Sequence, residues 1–227
     1  MKTILLAAGL GTRLRPITKT IPKALVEIKG KPLLEIWLDS LAKSNLNQIL
    51  INSHYLHGVV EDFVNKSQHK NNIILKYEEQ LLGTAGTIRA NVDFIKDDDV
   101  LLIHADNYCT CDLSSFINWH YSYSNDCTMS MMSFRTLTPE SCGIIEVDVN
   151  NIVVRFHEKI KNPPSNLANG AVYILKNKLI KEIIDGCFND FSTEVIPTQL
   201  GRILNYENLN THIDIGTPEM YKIAQTL

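Results

Sequence analysis

Two glycines and two cations stand close together near the start of this chain. An apolar run over residues 3–8 leads into Gly9 and Gly11, and Arg13 and Lys23 follow shortly after. Glycine lets the backbone approach a ligand closely and turn its N–H groups toward an anion. Arginine supplies a planar fork of donors for phosphate oxygens, and lysine supplies a compact positive charge. These residue types at this spacing predict a loop that binds a polyphosphate.

Two better-known glycine loops do not fit the pattern. The dinucleotide fingerprint requires a third glycine where this chain has Leu14, and an acidic residue on a second strand about 20 residues later, where this chain has a helix-like run at 33–41. The P-loop requires a Gly-Lys-Ser/Thr ending, which residues 9–14 lack. The mismatch disfavours a dinucleotide-dependent oxidoreductase, an alternative that tight binding of NAD would restore.

Two aspartates close predicted strands elsewhere in the chain. Asp106 comes just after the apolar run 100–104, and Asp214 follows His212 and Ile213. Ligands bind at the carboxyl ends of parallel strands, and Mg²⁺ takes oxygen ligands such as carboxylates. Each aspartate alone is more typical of a turn or a helix cap than of a metal site. Their joint placement beside a phosphate loop predicts a Mg²⁺ site.

The order of the predicted elements indicates how these residues are positioned. Apolar strand-like runs at 3–8, 48–52, 73–77 and 100–104 alternate with helix-like segments at 33–43, 58–65, 84–92 and 113–122. Such alternation predicts parallel strands with crossover helices on both faces. In the second half, short links join strand-like runs at 128–134, 143–149, 152–157 and 168–175, with a hairpin-type turn at 150–151. These runs predict an antiparallel patch beside the parallel sheet of an α/β fold.

The composition indicates one globular domain. The chain has 227 residues, of which 44% are hydrophobic, and a net charge of -3. We therefore expect a single domain over residues 1–227. The chain has no basic run for nucleic acid, no apolar stretch near the ~20 residues that span a bilayer, and too short an apolar start for a secretory signal. These features predict a cytoplasmic enzyme with no nucleic-acid or membrane partner, and leave homo-oligomerisation open.

These motifs resemble those of the sugar-1-phosphate nucleotidylyltransferase family. The segment LAAGLGTRLRPIT at 6–18, followed by PKAL at 22–25, is similar to the family signature almost letter for letter. Four further segments carry the likeness: LGTAG at 82–86, FHEK at 156–159, NGAVY at 169–173 and DIGTP at 214–218. The resemblance covers residues 1 to about 221. It implies a three-layer αβα Rossmann-like nucleotidyltransferase fold, with a mostly parallel mixed sheet and an antiparallel patch.

The resemblance also implies roles for individual residues. Catalytic roles are expected for Arg13, Lys23 and Asp106. Nucleotide contacts are expected at Leu6, Ala8, Gly9, Gly11, Thr12, Arg13, Lys23, Gly83, Thr84, Gly86 and Asp106. Sugar-phosphate contacts are expected at Asn107, Gly143, Glu158, Lys159, Asn169 and Asp214, and Asp106 and Asp214 are expected to hold Mg²⁺.

This chain departs from the family pattern in three places. Ala105 stands where the family often has glycine before the first metal aspartate, and residues 190–197 fit the pattern only loosely, which leaves the role of Glu194 open. We expect no acetyltransferase or regulatory extension after Leu227.

The implied reaction is attack by an oxygen of a sugar 1-phosphate on the α-phosphorus of a nucleoside triphosphate, which gives a nucleotide-sugar and pyrophosphate. A phosphate monoester is already mostly dianionic at neutral pH, so no protein nucleophile is needed. The 82–86 segment looks most like that of guanylyltransferases for manno-configured sugars. We therefore expect GTP with D-glycero-D-manno-heptose 1-phosphate or mannose 1-phosphate. The alternatives are uridylyl or thymidylyl transfer to a hexose 1-phosphate, and a noncatalytic nucleotide-sugar sensor.

Overall fold

A computed structural model describes residues 1–124 and 126–227 of the chain. Its strands are β1 (Lys2–Leu6), β2 (Glu27–Ile28), β3 (Lys31–Pro32), β4 (Ile49–Ser53), β5 (Ile73–Tyr77), β6 (Val100–His104), β7 (Asn107–Cys109), β8 (Met129–Arg135), β9 (Gly143–Val147), β10 (Val153–Glu158), β11 (Leu167–Leu175), β12 (Ile203–Glu207) and β13 (His212–Asp214). Its α-helices are α1 (Leu33–Lys43), α2 (His57–Lys66), α3 (Thr84–Ala90), α4 (Val92–Ile95), α5 (Leu113–Tyr123), α6 (Asn177–Asp185), α7 (Ile196–Gln199) and α8 (Pro218–Thr226).

The chain divides into two compact units, and the first contains Met1–Leu81, Ile103–Leu113 and Asn210–Leu227. Its sheet is built on parallel strands, with β1 paired to β4 and β4 paired to β5. The last two residues of strand β6, Ile103 and His104, also belong to this unit. Strand β4 is buried along its whole length, and β1 is buried after its first residue. Burial on both faces explains why both strands read as continuous apolar runs.

Helix α1 supports the site from within the first unit. Its apolar residues recur at helical spacing and are buried, namely Leu33, Leu34, Trp37, Leu38 and Leu41. The indole Nε1 of Trp37 also donates a hydrogen bond to the backbone carbonyl of Asn107, at 3.0 Å. Helix α1 thereby holds the first residue of β7 in place.

Strands β7 and β13 form a two-stranded antiparallel ribbon. Asn107 lies opposite Asp214, and Cys109 lies opposite His212. Because Asp106 directly precedes β7 and β13 ends at Asp214, the ribbon places both aspartates at the same end. The N–H of Ala105 donates to the carbonyl of Leu6 at 3.0 Å, which ties this end to the start of the glycine loop.

One buried apolar cluster joins the loop, the helix and the ribbon. It includes Leu14 of the loop, Leu33 of α1, Ile213 of β13 and Ile215, and it extends to Ala224 of α8. Burial of such side chains contributes about 1.5–3 kcal/mol each. The loop is therefore anchored to the same core that holds the ribbon.

The second unit contains Leu82–Leu102 and Ser114–Leu209. Strand β8 pairs antiparallel with β11 and parallel with β12, and β9 pairs antiparallel with β10 and β11. The register of β11 against β8 shifts between Asn169 and Tyr173, and Ala171 there has a positive φ of 53°. The side-chain Oδ1 of Asn169 accepts a hydrogen bond from the Ala171 N–H at 2.9 Å. A bulge of this kind redirects nearby side chains, here that of Asn169.

The mixed α/β class, with parallel strands and an antiparallel patch, is confirmed. The predicted helix at 33–43 and the predicted strand at 73–77 have the same bounds in the structure. The predicted strand at 3–8 is shorter, because β1 ends at Leu6 and the N–H of Ala7 donates to Oδ1 of Asn52 instead. Among the helices formed by residues 1–124 and 126–227, we find none with the length and apolar character that crossing a bilayer requires.

The substitution Trp37→Phe tests the support that α1 gives to β7. It keeps an aromatic ring in the core but removes the indole donor from the Asn107 carbonyl. We expect the free energy of unfolding to fall by about 1–3 kcal/mol, measured by urea denaturation. Val149→Ala is the control, because Val149 is 97% exposed. An unchanged urea midpoint for Trp37→Phe would contradict the supporting role.

Candidate active site

The ammonium group of Lys23 lies at the centre of the candidate site. Its Nζ is 2.9 Å from Oδ2 of Asp106 and 3.0 Å from Oδ1 of Asp214. Lys23 is only 7% exposed, and a buried ammonium is costly unless it is paired. The two aspartate side chains remain 36% and 33% exposed. Three residues distant in sequence thus form one charged cluster that is partly open to solvent.

Burial and ion pairing act in opposite directions on the ionisation of this cluster. Burial lowers the pKa of Lys23, but the carboxylates of Asp106 and Asp214 raise it, and the resulting pKa lies above its ordinary value. Burial raises the pKa of Asp106, but the positive charge of the Lys23 ammonium lowers it. The pKa that results lies below its ordinary value. At neutral pH, Lys23 is therefore protonated and Asp106 is ionised.

The glycine loop closes tightly against Lys23 and Thr18. Gly11 has a φ of +61°, where an L side chain is strained, and a Cβ there would lie 3.0 Å from Cγ2 of Thr18 and 3.2 Å from Cβ of Lys23. The hydroxyl of Thr18 donates a hydrogen bond to the Gly11 carbonyl at 2.6 Å. At Gly9, by contrast, no described atom lies within 4 Å of the Cβ position. The loop is therefore packed at Gly11 and open at Gly9.

Arg13 extends over the cluster from the same loop. Its Nη2 lies 3.7 Å from Oδ2 of Asp214, and its side chain is 58% exposed. A Cβ on Gly216 would lie 2.9 Å from that Nη2 and 3.0 Å from Oδ1 of Asp214. The missing side chain at Gly216 makes room for the guanidinium, which keeps most of its donors available for an anion.

Several of these groups line a cavity of about 270 Å³. Its lining residues are Leu10, Gly11, Thr12, Arg13, Leu14, Lys23, Asp106 and Gly216. Two cations and loop backbone suit phosphate oxygens, and two carboxylates that face one point are the ligands that Mg²⁺ prefers. The donor set therefore fits both a polyphosphate and a divalent cation.

Two buried polar residues that the sequence reasoning missed lie at the same edge of this sheet. The Oδ1 of Asn52 in β4 accepts from the N–H of Ala7 at 2.7 Å, and the Nδ2 of Asn52 donates to Oε1 of Glu78 at 2.9 Å. Glu78 directly follows β5 and is only 6% exposed. A carboxylate just after a predicted strand, the signal that identified Asp106, would have identified Glu78 too.

In the second unit, the predicted base segment 83–86 packs against the backbone near Asn189. Gly83 has a φ of +80°, and a Cβ there would lie 2.4 Å from the Asn189 carbonyl oxygen. The same carbonyl accepts hydrogen bonds from the N–H groups of residues 85 and 86, at 2.9 and 3.2 Å. The Thr84 hydroxyl oxygen accepts from the Phe191 N–H at 2.7 Å. Only glycine fits at position 83, and the segment is rigidly held.

The predicted sugar residues Gly143, Glu158 and Lys159 lie together in the second unit. Gly143 is opposite Glu158 in the β9–β10 pair, and a Cβ on Gly143 would lie 2.9 Å from Oε2 of Glu158. The Nζ of Lys159 is 2.9 Å from Oε1 of Glu158. Lys159 has a positive φ of 51°, and its side chain is 59% exposed. Backbone strain at a non-glycine residue is a feature that clusters at binding sites.

Asn169 belongs to the same region of the second unit. Ala168 pairs with Ile144 in the antiparallel β11–β9 pair, so the next position brings Asn169 opposite Gly143. The Nδ2 of Asn169 donates to the Tyr173 hydroxyl at 2.6 Å, which fixes the orientation of its amide.

The predicted residues divide between the two units. The first unit holds Leu6, Ala8, Gly9, Gly11, Thr12, Arg13, Lys23, Asp106, Asn107 and Asp214, and the second holds Gly83, Thr84, Gly86, Gly143, Glu158, Lys159 and Asn169. The side-chain Oε2 of Glu194 accepts hydrogen bonds from the N–H groups of residues 189 and 190, at 2.7 and 3.3 Å. Glu194 therefore stabilises the backbone beside the base segment.

A separate group of ligand-type side chains consists of Glu35, Asp39 and His69, whose ligand atoms lie within 4.8 Å of one another. Asp39 forms an ion pair with Lys31, and its Oδ1 is 2.9 Å from Nε2 of His69. These contacts already pair the Asp39 carboxylate, so the group is explained as an ion-pair network.

Comparison with known proteins gives one family. Residues 2–226 match the family of nucleotidyl transferases. The chain is 29% identical over 221 residues to the mannose-1-phosphate guanylyltransferase of Mycobacterium tuberculosis. That alignment covers 95% of this chain and 61% of that protein. The chain is also 27% identical over 228 residues to the D-glycero-alpha-D-manno-heptose 1-phosphate guanylyltransferase of Aneurinibacillus thermoaerophilus. That alignment covers 99% of this chain and 97% of that protein. The chain thus spans about three fifths of the first relative and nearly all of the second.

The fold is also that of a solved structure. The crystal structure of HddC from Yersinia pseudotuberculosis matches with a TM-score of 0.83 and 27% identity, over 99% of this chain and 98% of that chain. A second structure of HddC, complexed with GMP-PN, matches with a TM-score of 0.81. Together with the family match, these likenesses confirm the predicted nucleotidyltransferase fold.

The substitution Gly216→Ala tests the placement of Arg13. The added methyl group would lie closest to the Arg13 guanidinium, at 2.9 Å, and would push it aside at little cost in stability, because those atoms end a flexible side chain; it would also lie 3.0 Å from Oδ1 of Asp214. We expect the affinity for inorganic pyrophosphate to fall about tenfold, measured by isothermal titration calorimetry.

Gly58→Ala in α2 is the matched control, because no described atom lies within 4 Å of its Cβ position. We expect unchanged pyrophosphate affinity and slightly higher stability. Equal affinity in the two variants would show that the position of Arg13 does not matter for anion binding.

Proposed function

This chain belongs to the nucleotidyl transferase family, and on that premise we propose that it transfers a nucleoside monophosphate from a nucleoside triphosphate to a sugar 1-phosphate, with release of pyrophosphate. The observation that carries the proposal is the Asp106–Lys23–Asp214 cluster beside the glycine loop. Arg13, Lys23 and the Asp106 carboxylate line one cavity there, and Asp214 shares the Lys23 ammonium with Asp106.

The protein's part in this reaction is to position groups and to neutralise charge. An oxygen of the sugar phosphate forms the new bond to the α-phosphorus, and the bond from that phosphorus to the departing pyrophosphate breaks. Lys23 would offset the charge on the α-phosphoryl group, and Arg13 would bind the pyrophosphate as it leaves. The backbone at Gly9 and Gly11 would hold the other phosphates through N–H donors.

Asp106 and Asp214 would hold Mg²⁺, because their carboxylate oxygens face a common point and Mg²⁺ favours such ligands. When bound, this ion supplies neutralisation and orientation of the phosphate oxygens. The assignment predicts that both carboxylates are needed together.

We propose GTP and a manno-configured sugar 1-phosphate, either mannose 1-phosphate or D-glycero-D-manno-heptose 1-phosphate, as substrates. Two relatives are guanylyltransferases named for these two sugar phosphates, and the related HddC was crystallised with GMP-PN. Lys159 would bind the sugar phosphate, and Glu158 and Asn169 would bind sugar hydroxyls. The charged residues that a noncatalytic sensor could lose are all present, which favours an active enzyme.

The first test of the proposal is Mg²⁺-dependent pyrophosphate release from GTP, UTP, dTTP, CTP and ATP, each paired with mannose, glucose and D-glycero-D-manno-heptose 1-phosphates. We expect release with GTP and a manno-configured sugar. Lys23→Ala and Asp106→Asn should each lower kcat by about 10²–10³-fold, because each removes a group that stabilises developing charge.

Lys19→Ala, at an exposed lysine on the same stretch of chain, is the control and should leave turnover within about threefold of wild type. Comparable turnover in Lys23→Ala would contradict the catalytic assignment. Release only with another nucleotide would overturn the choice of base, and binding of nucleotide-sugars without any release would favour the sensor.

Glu78 supplies a further prediction about the base. Its buried carboxylate stands at the same sheet edge as the glycine loop, and a carboxylate can accept both of the adjacent N–H donors on one edge of guanine. We expect Glu78→Gln to lower kcat/KM for GTP about tenfold to hundredfold, and to narrow the preference for GTP over ITP, which lacks the exocyclic amino group. Glu79→Gln, at the exposed neighbour, is the control. An unchanged GTP to ITP ratio would remove Glu78 from base recognition.

A further inference from the structure

We infer that Lys23 acts as a latch: in the free protein its ammonium holds the position between Asp106 and Asp214, and a divalent cation binds there only when an anionic ligand draws the ammonium away. Binding of metal and binding of polyphosphate are then coupled through one side chain. This inference rests on the proposed function and concerns the order of events at the same site.

The Lys23 ammonium and a divalent cation compete for one position between the two carboxylates. The Nζ of Lys23 lies almost equally far from Oδ2 of Asp106 and Oδ1 of Asp214, at 2.9 and 3.0 Å. A divalent cation such as Mg²⁺ takes carboxylate oxygens at about 2.1 Å, inside the space that the ammonium fills. Like charges also repel at this range. The two cations therefore exclude one another.

The Lys23 ammonium can move toward the cavity while its backbone stays in place. The backbone of Lys23 is fixed, because its carbonyl accepts a hydrogen bond from the Val26 N–H at 3.1 Å and Gly11 packs against its Cβ. The four-carbon stem remains free to rotate toward the cavity that Lys23 lines. A buried ammonium needs an anionic partner at every stage, so it leaves the carboxylates only when phosphate oxygens replace them.

The charges of the cluster balance before any ligand binds. Asp106 and Asp214 carry two negative charges, and Lys23 and Arg13 carry two positive charges within 3.7 Å of them. The cluster is thus neutral before any ligand binds. A divalent cation alone would leave an excess of positive charge, whereas a cation together with a polyphosphate would not. Linkage then requires that each ligand raises the affinity for the other by the same factor.

The latch is tested by titrating the full chain with Mn²⁺ in the absence of phosphate and measuring binding by electron paramagnetic resonance. Lys23→Met keeps the apolar stem but removes the ammonium. We expect it to tighten the Mn²⁺ Kd at least about tenfold relative to wild type. Adding Asp214→Asn to Lys23→Met should abolish the gained binding, which would locate it at the two carboxylates.

Arg13→Met separates the latch from simple charge. It removes one positive charge from the same cluster but leaves the Lys23 ammonium between the carboxylates. We expect Mn²⁺ binding to tighten by less than about threefold, because Arg13 is mostly exposed. Equal tightening in the two variants would overturn the latch, as would wild-type affinity as high as that of Lys23→Met.

The Mn²⁺ measurement distinguishes a failure of the latch from misfolding of a variant and from a failure of the proposed function. Lys23→Gln, which can still hydrogen-bond a carboxylate, replaces Lys23→Met if the methionine variant does not fold, and the same tightening is expected. No nucleotide or turnover is involved in the measurement. Pyrophosphate release by wild type without Mn²⁺ tightening would therefore overturn the latch alone, and tightening in a chain that transfers nothing would overturn the function alone.

Discussion

The pairing of one buried ammonium with two carboxylates imposes the main constraint on this structure. Lys23, Asp106 and Asp214 are far apart in sequence, and a buried ammonium is costly unless it is paired, so the fold must hold all three together. The β7–β13 ribbon brings the aspartates side by side, and the Trp37 hydrogen bond to the backbone after Asp106 supports the ribbon. The loop that carries Lys23 is packed into the same apolar core.

The parts of the fold that depend on continuous patterns were predictable from the sequence. Helix α1 and strand β5 have their predicted bounds, because a buried helix face and an apolar strand leave clear periodicities. The β7–β13 ribbon was not predictable as a pair, because three residues are too few to show alternation and the pairing spans about half the chain. Glu78 follows a predicted strand as Asp106 does, but it was missed because a single polar residue after a strand is usually a turn residue.

The glycines of the sequence motifs are required for different structural reasons, which the sequence alone does not distinguish. Gly11 is required by its backbone conformation and by close contact with Thr18 and Lys23. The backbone of Gly216 lies outside the left-handed region, and this glycine instead makes room for the Arg13 guanidinium beside Asp214. Substitution at the first position disturbs the loop itself, whereas substitution at the second moves one side chain. The sequence could predict that both mattered, but only the structure separates the two causes.

The two cations of the site are not interchangeable, and the geometry explains why lysine stands at 23 and arginine at 13. An ammonium is compact and can donate to one oxygen on each of two carboxylates while keeping a flexible stem, as Lys23 does. A guanidinium at that position would bind a carboxylate through its planar fork and fill far more space. At position 13, where the side chain is mostly exposed and its Nη2 lies 3.7 Å from Oδ2 of Asp214, the same fork leaves donors for several phosphate oxygens. In the proposed reaction, the residue that would move between partners is thus the flexible point charge of Lys23, and the residue that would bind the departing polyphosphate is the planar Arg13.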